Sequence, residues 1–245
     1  MISVVIPTLD AERGLAATLS ALVEAAVEGL VREVIVADGG SRDATQRIVE
    51  EMGATFIPVS AGRGAQLAAG ARHARMPWIL FLHGDTILEP GWEREASDFM
   101  RRVDQSPAGP RAACFRFSLD DIGLAPRLLE GAVQLRSTML ALPYGDQGLL
   151  IPRRLYDEVG GFRELPIMED VDIVNRIGRR RLVTLRSQAL TSARRYRSEG
   201  YVGRIARNQT CLALYMLGVS PDRIARLYER RRPLDAARSR EIKSA

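Results

Sequence analysis

The feature that most constrains the fold is a series of short, almost wholly apolar runs spaced along the first hundred residues. Residues 2–6 read Ile-Ser-Val-Val-Ile, residues 34–37 Val-Ile-Val-Ala and residues 78–82 Trp-Ile-Leu-Phe-Leu, with a fourth run at 55–59. Strands need apolar residues on both faces when helices cover both sides of a parallel sheet. The intervening segments have helical spacing. Helices are expected over 12–28, with Leu15, Leu19, Leu22, Val23 and Val27 on one face, over 42–52, and over 65–74, which is rich in small residues. This alternation predicts an α/β domain with a mostly parallel sheet flanked by helices.

The pattern is less regular further on. Strands are expected at 112–118, 148–151 and 182–185, and helices at 126–142, from Pro152 onward, at 171–180, at 201–217 and at 221–231. The expected organisation is a catalytic domain over 1–198, with residues 199–245 as a basic helical C-terminal extension of it. No linker rich in Pro, Gly or Ser separates the two.

The formal net charge of +5 hides an asymmetry. From Arg176 onward there are 18 basic and 5 acidic residues, a balance of +13, whereas residues 1–175 hold 17 basic and 25 acidic, a balance of −8. A basic tail attracts anionic lipid or phosphorylated molecules, and equally serves as an ordinary solvated surface. No nucleic-acid-binding motif or aromatic stacking array accompanies the charge, so nucleic acid is not an expected partner. Leu212, Leu214, Leu217 and Ile224 leave two readings open: peripheral membrane contact, or packing against the catalytic domain or a second subunit of a homo-oligomer.

Cys114 and Cys211 lie far apart without metal-ligand spacing and are expected to be buried thiols. His73 and His83, the only histidines, cannot form an all-imidazole zinc site. The chain opens directly on a strand pattern, and its longest apolar run in the second half, about 211–219, is too short to cross a bilayer, so a cytoplasmic protein is expected.

The chemistry-bearing residues follow the strands. Ligands of open parallel sheets bind beyond the carboxyl ends of the strands, where this chain places Pro7-Thr8-Leu9-Asp10, then Asp38-Gly39-Gly40-Ser41-Arg42-Asp43, then Gly62-Arg63-Gly64-Ala65-Gln66, and then His83-Gly84-Asp85-Thr86. Taken singly, Thr8, Asp10 and Ser41 also fit helix caps, and Gly39 and Gly40 fit a tight turn. Four such clusters along one sheet edge point beyond capping. Asp85, at the tip of a buried strand, suits a hard divalent cation that bridges phosphates, or else caps the turn toward Glu89-Pro90. His83 fits packing behind such a site better than ligation. A second acidic cluster, Met168-Glu169-Asp170-Val171-Asp172, opens a helix, where carboxylates also favour the dipole. Asp170 is the candidate general base with Glu169 as its supporting neighbour, and Asp172 is spaced to pair with Arg176.

These residues resemble family-2 glycosyltransferases, which have the GT-A (Rossmann-like) fold. Ile2-Ser3-Val4-Val5-Ile6-Pro7-Thr8 looks like the family's first strand, and Asp38-Gly39-Gly40-Ser41-Arg42-Asp43-Ala44-Thr45 like its Asp-Gly-Ser-x-Asp-x-Thr segment. His83-Gly84-Asp85 stands in the place of its metal-binding Asp-x-Asp, and Gly160-Gly161-Phe162 followed by Glu169-Asp170 is similar to its acceptor-side signature. The chain looks closer still to a bacterial subgroup associated with radical-enzyme clusters and a proposed role in arsenosugar synthesis. That likeness lies in Phe81-Leu82-His83-Gly84-Asp85-Thr86, Tyr144-Gly145-Asp146-Gln147-Gly148, Pro166-Ile167-Met168-Glu169-Asp170-Val171-Asp172 and Thr191-Ser192-Ala193-Arg194-Arg195-Tyr196.

The resemblance implies an inverting transferase that moves a sugar from a UDP- or GDP-type donor to a hydroxyl of a small-molecule or lipid acceptor, assisted by Mn2+ or Mg2+. It implies that Pro7, Thr8, Asp10, Asp38 and Gly39 face the nucleotide and that Arg63 and Gln66 line the nucleotide and diphosphate pocket. Gly84 and Asp85 would form the metal turn, with Asp85 as ligand. Asp170, supported by Glu169, would be the base, Arg194 or Arg195 would close on the diphosphate, and Asp146 and Gln147 would lie on the acceptor side. Two positions depart from the family pattern: His83 replaces the first carboxylate of Asp-x-Asp, and Ala68 stands where many relatives carry Asn. A nucleotidyltransferase would favour a Gly-rich, lysine-containing loop after the first strand, absent at 7–13, while a non-catalytic sugar-nucleotide binder would tolerate loss of Asp85 or Asp170, both present. No Gly-x-Gly-x-x-Gly follows the first strand, which argues against a dehydrogenase.

Overall fold

The computed structural model describes residues 1–121, 123, 126, 127 and 147–230. They fall into two compact units, one of Met1–Leu165 with Glu169–Ala193, the other of Pro166–Met168 with the chain from Arg194 onward.

The first unit holds an eight-stranded sheet in the order β3-β2-β1-β4-β7-β6-β8-β5. The strands are β1 (Ile2–Thr8), β2 (Val31–Asp38), β3 (Thr55–Pro58), β4 (Trp78–Phe81), β5 (Thr86–Leu88), β6 (Ala112–Leu119), β7 (Leu149–Pro152) and β8 (Leu182–Thr191). The four strands expected in the first hundred residues pair in parallel, β1 lying between β2 and β4. Ile2, Val4, Val5 and Ile6 are wholly buried, as expected of strands covered on both faces.

Beyond β4 the sheet becomes mixed. β7 runs antiparallel to both β4 and β6, and β5 antiparallel to β8, while β6 and β8 are parallel. The direction of a strand depends on the partner it meets, so the apolar runs at 112–118 and 148–151 could not declare it. β8 extends to Thr191, well past the expected 185, because its outer half pairs with both β6 and β5.

The helices of this unit are α1 (Glu12–Ser20), α2 (Val23–Val27), α3 (Thr45–Glu51), α4 (Arg63–His73), α5 (Trp92–Asp104), α6 (Arg153–Glu158) and α7 (Glu169–Ile177). The single helix expected over 12–28 is two. Leu15, Leu19 and Leu22 are buried as foreseen, but Val23 and Val27 are exposed. At the break, the Ala21 carbonyl accepts a hydrogen bond from the Trp92 indole at 3.4 Å. Helix α5 was not expected, yet Trp92, Ala96, Phe99, Met100 and Val103 are all buried at helical spacing. Trp78 meets Phe99 edge-on at 5.9 Å and Trp92 meets Phe115 at 6.1 Å, tying α5 to the sheet. The helix expected at 126–142 lies outside the described residues apart from its first two positions, as does Asp146.

The second unit contains α8 (Arg194–Glu199), α9 (Tyr201–Met216) and α10 (Pro221–Arg230), separated by Gly200 and Gly218, both at positive φ. Tyr196 and Tyr201 stack at 5.3 Å, and the Arg204 and Arg207 guanidinium groups lie 4.9 and 4.8 Å over the Tyr196 and Tyr228 rings. Leu212 and Ile224 are buried, whereas Leu217 is exposed. Among the described residues no helix is long and apolar enough to cross a membrane. Both cysteines are buried thiols, and burial pushes the Cys114 thiol up to about 11.

Candidate active site

Two polar centres form in the first unit, and α4 contributes to both. The first gathers at the carboxyl ends of β1 and β2. Asp38, almost wholly buried at the end of β2, accepts hydrogen bonds from the Thr8 hydroxyl (2.8 Å) and the Ser41 hydroxyl (2.5 Å) on one oxygen. The other oxygen accepts from the Gly40 and Ser41 amides at 2.9 and 2.7 Å. Four accepted bonds fill the capacity of a carboxylate, and the Gly39-Gly40-Ser41 turn is folded around it. Gly40, at φ 96°, takes the left-handed conformation this wrap requires.

Asp10, itself at φ 50°, accepts from the Arg42 amide at 2.9 Å, and its own amide donates to Ser41 Oγ at 2.8 Å. The two loops also cap each other's helices. The Glu12 amide donates to Asp43, the Ala11 amide to Thr45 Oγ1, and the Ala44 amide back to Glu12. The caps read into Thr8, Asp10 and Ser41 are thus supplied by Asp43, Thr45 and Glu12, which frees the former set to hold the turn in shape. Gln66 of α4 is buried, and its side-chain amide donates to the carbonyls of Thr8 (2.6 Å) and Ala37 (2.8 Å), clasping the ends of β1 and β2. Pro7 and Gly39 are half-buried beside this cluster.

The His83-Gly84-Asp85 turn follows β4. A Cβ on Gly84 would lie 3.4 Å from the Thr8 methyl, so the turn packs directly on the first centre. The Asp85 carbonyl accepts from the Ser192 amide at 3.3 Å, which fastens the turn to the end of β8. Asp85 as a whole is half-buried. Gly14 of α1, not singled out in the sequence, explains how the helix comes so near: a Cβ there would sit 3.1 Å from Asp85 and from the Gly84 carbonyl.

The second centre forms where α4 meets α7. Arg63, the first residue of α4, pairs through Nε with Glu169, and its Nη2 lies 3.5 Å from Asp170 Oδ2. Its Nη1 lies 3.4 Å from His83 Nε2. One guanidinium therefore collects groups from α4, the β4 turn and α7. The Glu169 side chain is 1% exposed, that of Asp170 14% and that of Arg63 39%. Burial raises the Glu169 carboxyl above the ordinary glutamate range; the Arg63 guanidinium opposes that rise and the Asp170 charge adds to it. Asp172 faces away from this group and pairs with Arg176 at 2.5 Å, the i, i+4 contact foreseen, and with Arg163 at 3.2 Å.

The approach of α4 to α7 depends on Gly64, whose absent Cβ would fall 2.4 Å from the Arg163 carbonyl oxygen. Between the two helices is a pocket of about 420 Å³ of empty space, open to solvent, with Leu67, Phe81, Phe162 and Val174 on its apolar side and Arg63, His83, Glu169 and Asp170 on its polar side. Phe162 is presented there by Gly160 and Gly161, both at positive φ, and packs edge-on against Phe81 at 4.8 Å. Gln147 is wholly buried and donates to the Phe115 carbonyl at 3.1 Å, a strand-bracing contact. Arg194 and Arg195 open α8 in the second unit. No group of three or more His, Cys, Asp or Glu side chains that could hold a metal ion occurs among the described residues.

A mixed sheet flanked by helices, with a polar cluster where its parallel strands end, is the α/β architecture of the GT-A type. Residues 3–122 match the family described as Glycosyl transferase family 2. No curated protein sequence matches the chain. Among solved structures, S. aureus TarS 1–349 shares 17% identity at a TM-score of 0.61, covering 78% of this chain and 60% of its own. The same fragment in complex with UDP-GlcNAc gives 18% and 0.60, covering 78% and 58%. Glucosyl-3-phosphoglycerate synthase from Mycobacterium tuberculosis, in complex with Mn2+, UDP and glucosyl-3-phosphoglycerate, gives 20% and 0.53, covering 78% and 70%. The chain thus spans about three fifths of the TarS fragment, and these likenesses establish the fold.

Proposed function

We propose that the protein is an inverting glycosyltransferase that uses a nucleotide-diphosphate sugar, with Asp170 as general base. The observation that carries this reading is the arrangement of α4, which contributes Gln66 to the Thr8–Asp38 centre and Arg63 to the Glu169–Asp170 centre three residues earlier. Thr8, Asp10 and the turn organised by Asp38 receive the base and ribose, with Pro7 and Gly39 alongside. UDP is the first donor to test, since TarS was crystallised with UDP-GlcNAc and the synthase with UDP and Mn2+.

Among the described residues, Asp85 belongs to no group of three side chains that could ligate a metal ion. Its carboxylate fits Mg2+ or Mn2+, which take one or two carboxylates and draw their remaining ligands from phosphate and water. When bound there, the cation supplies neutralisation of charge on the diphosphate leaving group. Asp170 accepts the proton of the acceptor hydroxyl as its oxygen forms the new bond to the anomeric carbon, and the bond from that carbon to the diphosphate breaks with its electron pair. The apolar side of the pocket, with Phe81 and Phe162, keeps water from the reacting face. The narrower resemblance to the radical-cluster-associated subgroup rests on the segments quoted above, of which Tyr144-Gly145-Asp146 lies outside the described residues. With Leu212 and Ile224 buried, membrane contact through the basic helices would fall to exposed residues such as Leu217 and Val202.

The test is thermal stability against nucleoside diphosphates with and without Mn2+. A ligand bound only by the folded state at 100 times its Kd stabilises by about 2.7 kcal/mol. The expected result is a Mn2+-dependent shift with UDP that disappears in Asp85→Ala. A well-folded protein that no nucleoside diphosphate stabilises would overturn the reading.

A further inference from the structure

We propose that Arg63 is a positioning residue for the base Asp170 and does not serve as a phosphate clamp. This deepens the reading above, resting on it for the role of Asp170. An arginine at the start of a helix on the nucleotide-binding side of the sheet would ordinarily be assigned to phosphate, since its fork matches phosphate oxygens. The geometry points elsewhere. All three guanidinium nitrogens are already near partners: Glu169 at Nε, Asp170 at Nη2 and His83 at Nη1.

Turning Arg63 toward a diphosphate would strand the Glu169 carboxylate, which is 1% exposed, beside the charge of Asp170. Gly64 adds a second constraint, because the missing Cβ beside the Arg163 carbonyl holds the first turn of α4 against the chain leading to α7. Both the side chain and the backbone of this turn are therefore committed to the base side.

The consequence is geometric. Asp170 sits at the start of α7, with one oxygen bonded to the Val171 amide at 2.8 Å and the other facing Arg63. Holding both oxygens fixes the rotamer, so that the acceptor hydroxyl meets the carboxylate in one orientation. Glu169 anchors the guanidinium that does the holding. His83, where the family pattern has a carboxylate, brings no second negative charge to compete with Glu169 and Asp170 for the same arginine.

The experiment uses the full chain with 15N-labelled arginine and follows the Arg63 Nε–H resonance, assigned by its loss in Arg63→Lys. The expected result is that Asp170→Asn moves this resonance while UDP with Mg2+ leaves it in place, and that Arg63→Lys keeps its affinity for UDP–Mg2+ within threefold. Displacement of the resonance by UDP–Mg2+, indifference to Asp170→Asn, or a more than threefold loss of UDP affinity in Arg63→Lys each overturns the proposal. If the wild-type protein binds no UDP, the donor assignment fails, and the response to Asp170→Asn still decides the role of Arg63. Should Asp170→Asn fail to fold, Asp170→Glu serves, since lengthening the side chain must also displace the contact.

Discussion

Asp38 and Glu169 are both almost wholly buried carboxylates on the same domain, yet their neighbours differ in kind. Asp38 is surrounded by neutral donors, two hydroxyls and two amides, all within its own loop or the adjoining strand. Glu169 has a half-exposed guanidinium reaching it from 106 residues away and a second carboxylate next to it. The first arrangement folds a turn into a fixed shape and leaves no charge to move. The second keeps an acidic pair poised beside a pocket. A rigid centre suits recognition of a constant group such as a nucleotide, and a charged centre with a cavity suits proton transfer.

The largest expected effect comes from cutting the chemical function out of the second centre while leaving its shape. General-base catalysis is worth about 10²–10⁴-fold, so Asp170→Asn should lower kcat by about a thousandfold with the KM for the donor little changed. Steady-state transfer assays check this, and a variant retaining a third of wild-type kcat would remove Asp170 from the mechanism. For the first centre the expected loss is of stability. Asp38→Ala orphans four donors around a site that is 2% exposed, at a cost of about 3 kcal/mol. Urea unfolding should register it, and a cost below about 1 kcal/mol would mean that the turn keeps its shape without the carboxylate.

How much of this was legible depends on the range of the interactions. The β-α alternation, the Asp172–Arg176 pair and the polar strand ends could be read because each is local or rests on burial on both faces. Helix α5 is equally local, with Trp92, Ala96, Phe99, Met100 and Val103 at helical spacing, but these five are interleaved with seven charged residues that dilute the apolar pattern. The antiparallel direction of β7, the three-residue β5 and the Arg63–Glu169 contact are products of long-range packing, which no periodicity announces. Gly14 and Gly64 looked like ordinary helix glycines. Their purpose appears only when Asp85 and the Arg163 carbonyl are found against them.

Gly64 offers a smaller, sharper test of how the two centres are joined. A methyl group 2.4 Å from a backbone oxygen cannot be relieved by a side-chain rotation. Overpacking of this kind costs about 1–3 kcal/mol, and Gly64→Ala should fall near the lower end because the first turn of α4 can tilt outward. That tilt would carry Arg63 away from Glu169 while Gln66, one turn deeper, keeps its grip on Thr8. The expected outcome is a modest loss of stability with unchanged UDP affinity and impaired transfer. Unchanged transfer would show that the base centre tolerates the loss of its link to α4.

The smallest effect concerns the charge on Glu169, where two influences oppose each other. Arg63 favours the carboxylate, but it is 39% exposed and divided between two acids, whereas burial acts on Glu169 alone at 1% exposure. Burial prevails, and the carboxyl is raised above its ordinary value of 4.5. A carboxyl that is raised in the folded state contributes stability that is complete below its unfolded pKa and lost as pH rises through the folded value. Relative to Glu169→Gln, which cannot ionise, the wild-type protein should therefore be favoured most near pH 4.5 and progressively less toward neutrality. Paired unfolding curves at several pH values measure that difference, in which the titrations common to both proteins cancel. A difference that grows in favour of the wild type with rising pH would mean that the guanidinium outweighs burial, and Glu169 would then resemble Asp38 as a carboxylate held in its charged form by its partners.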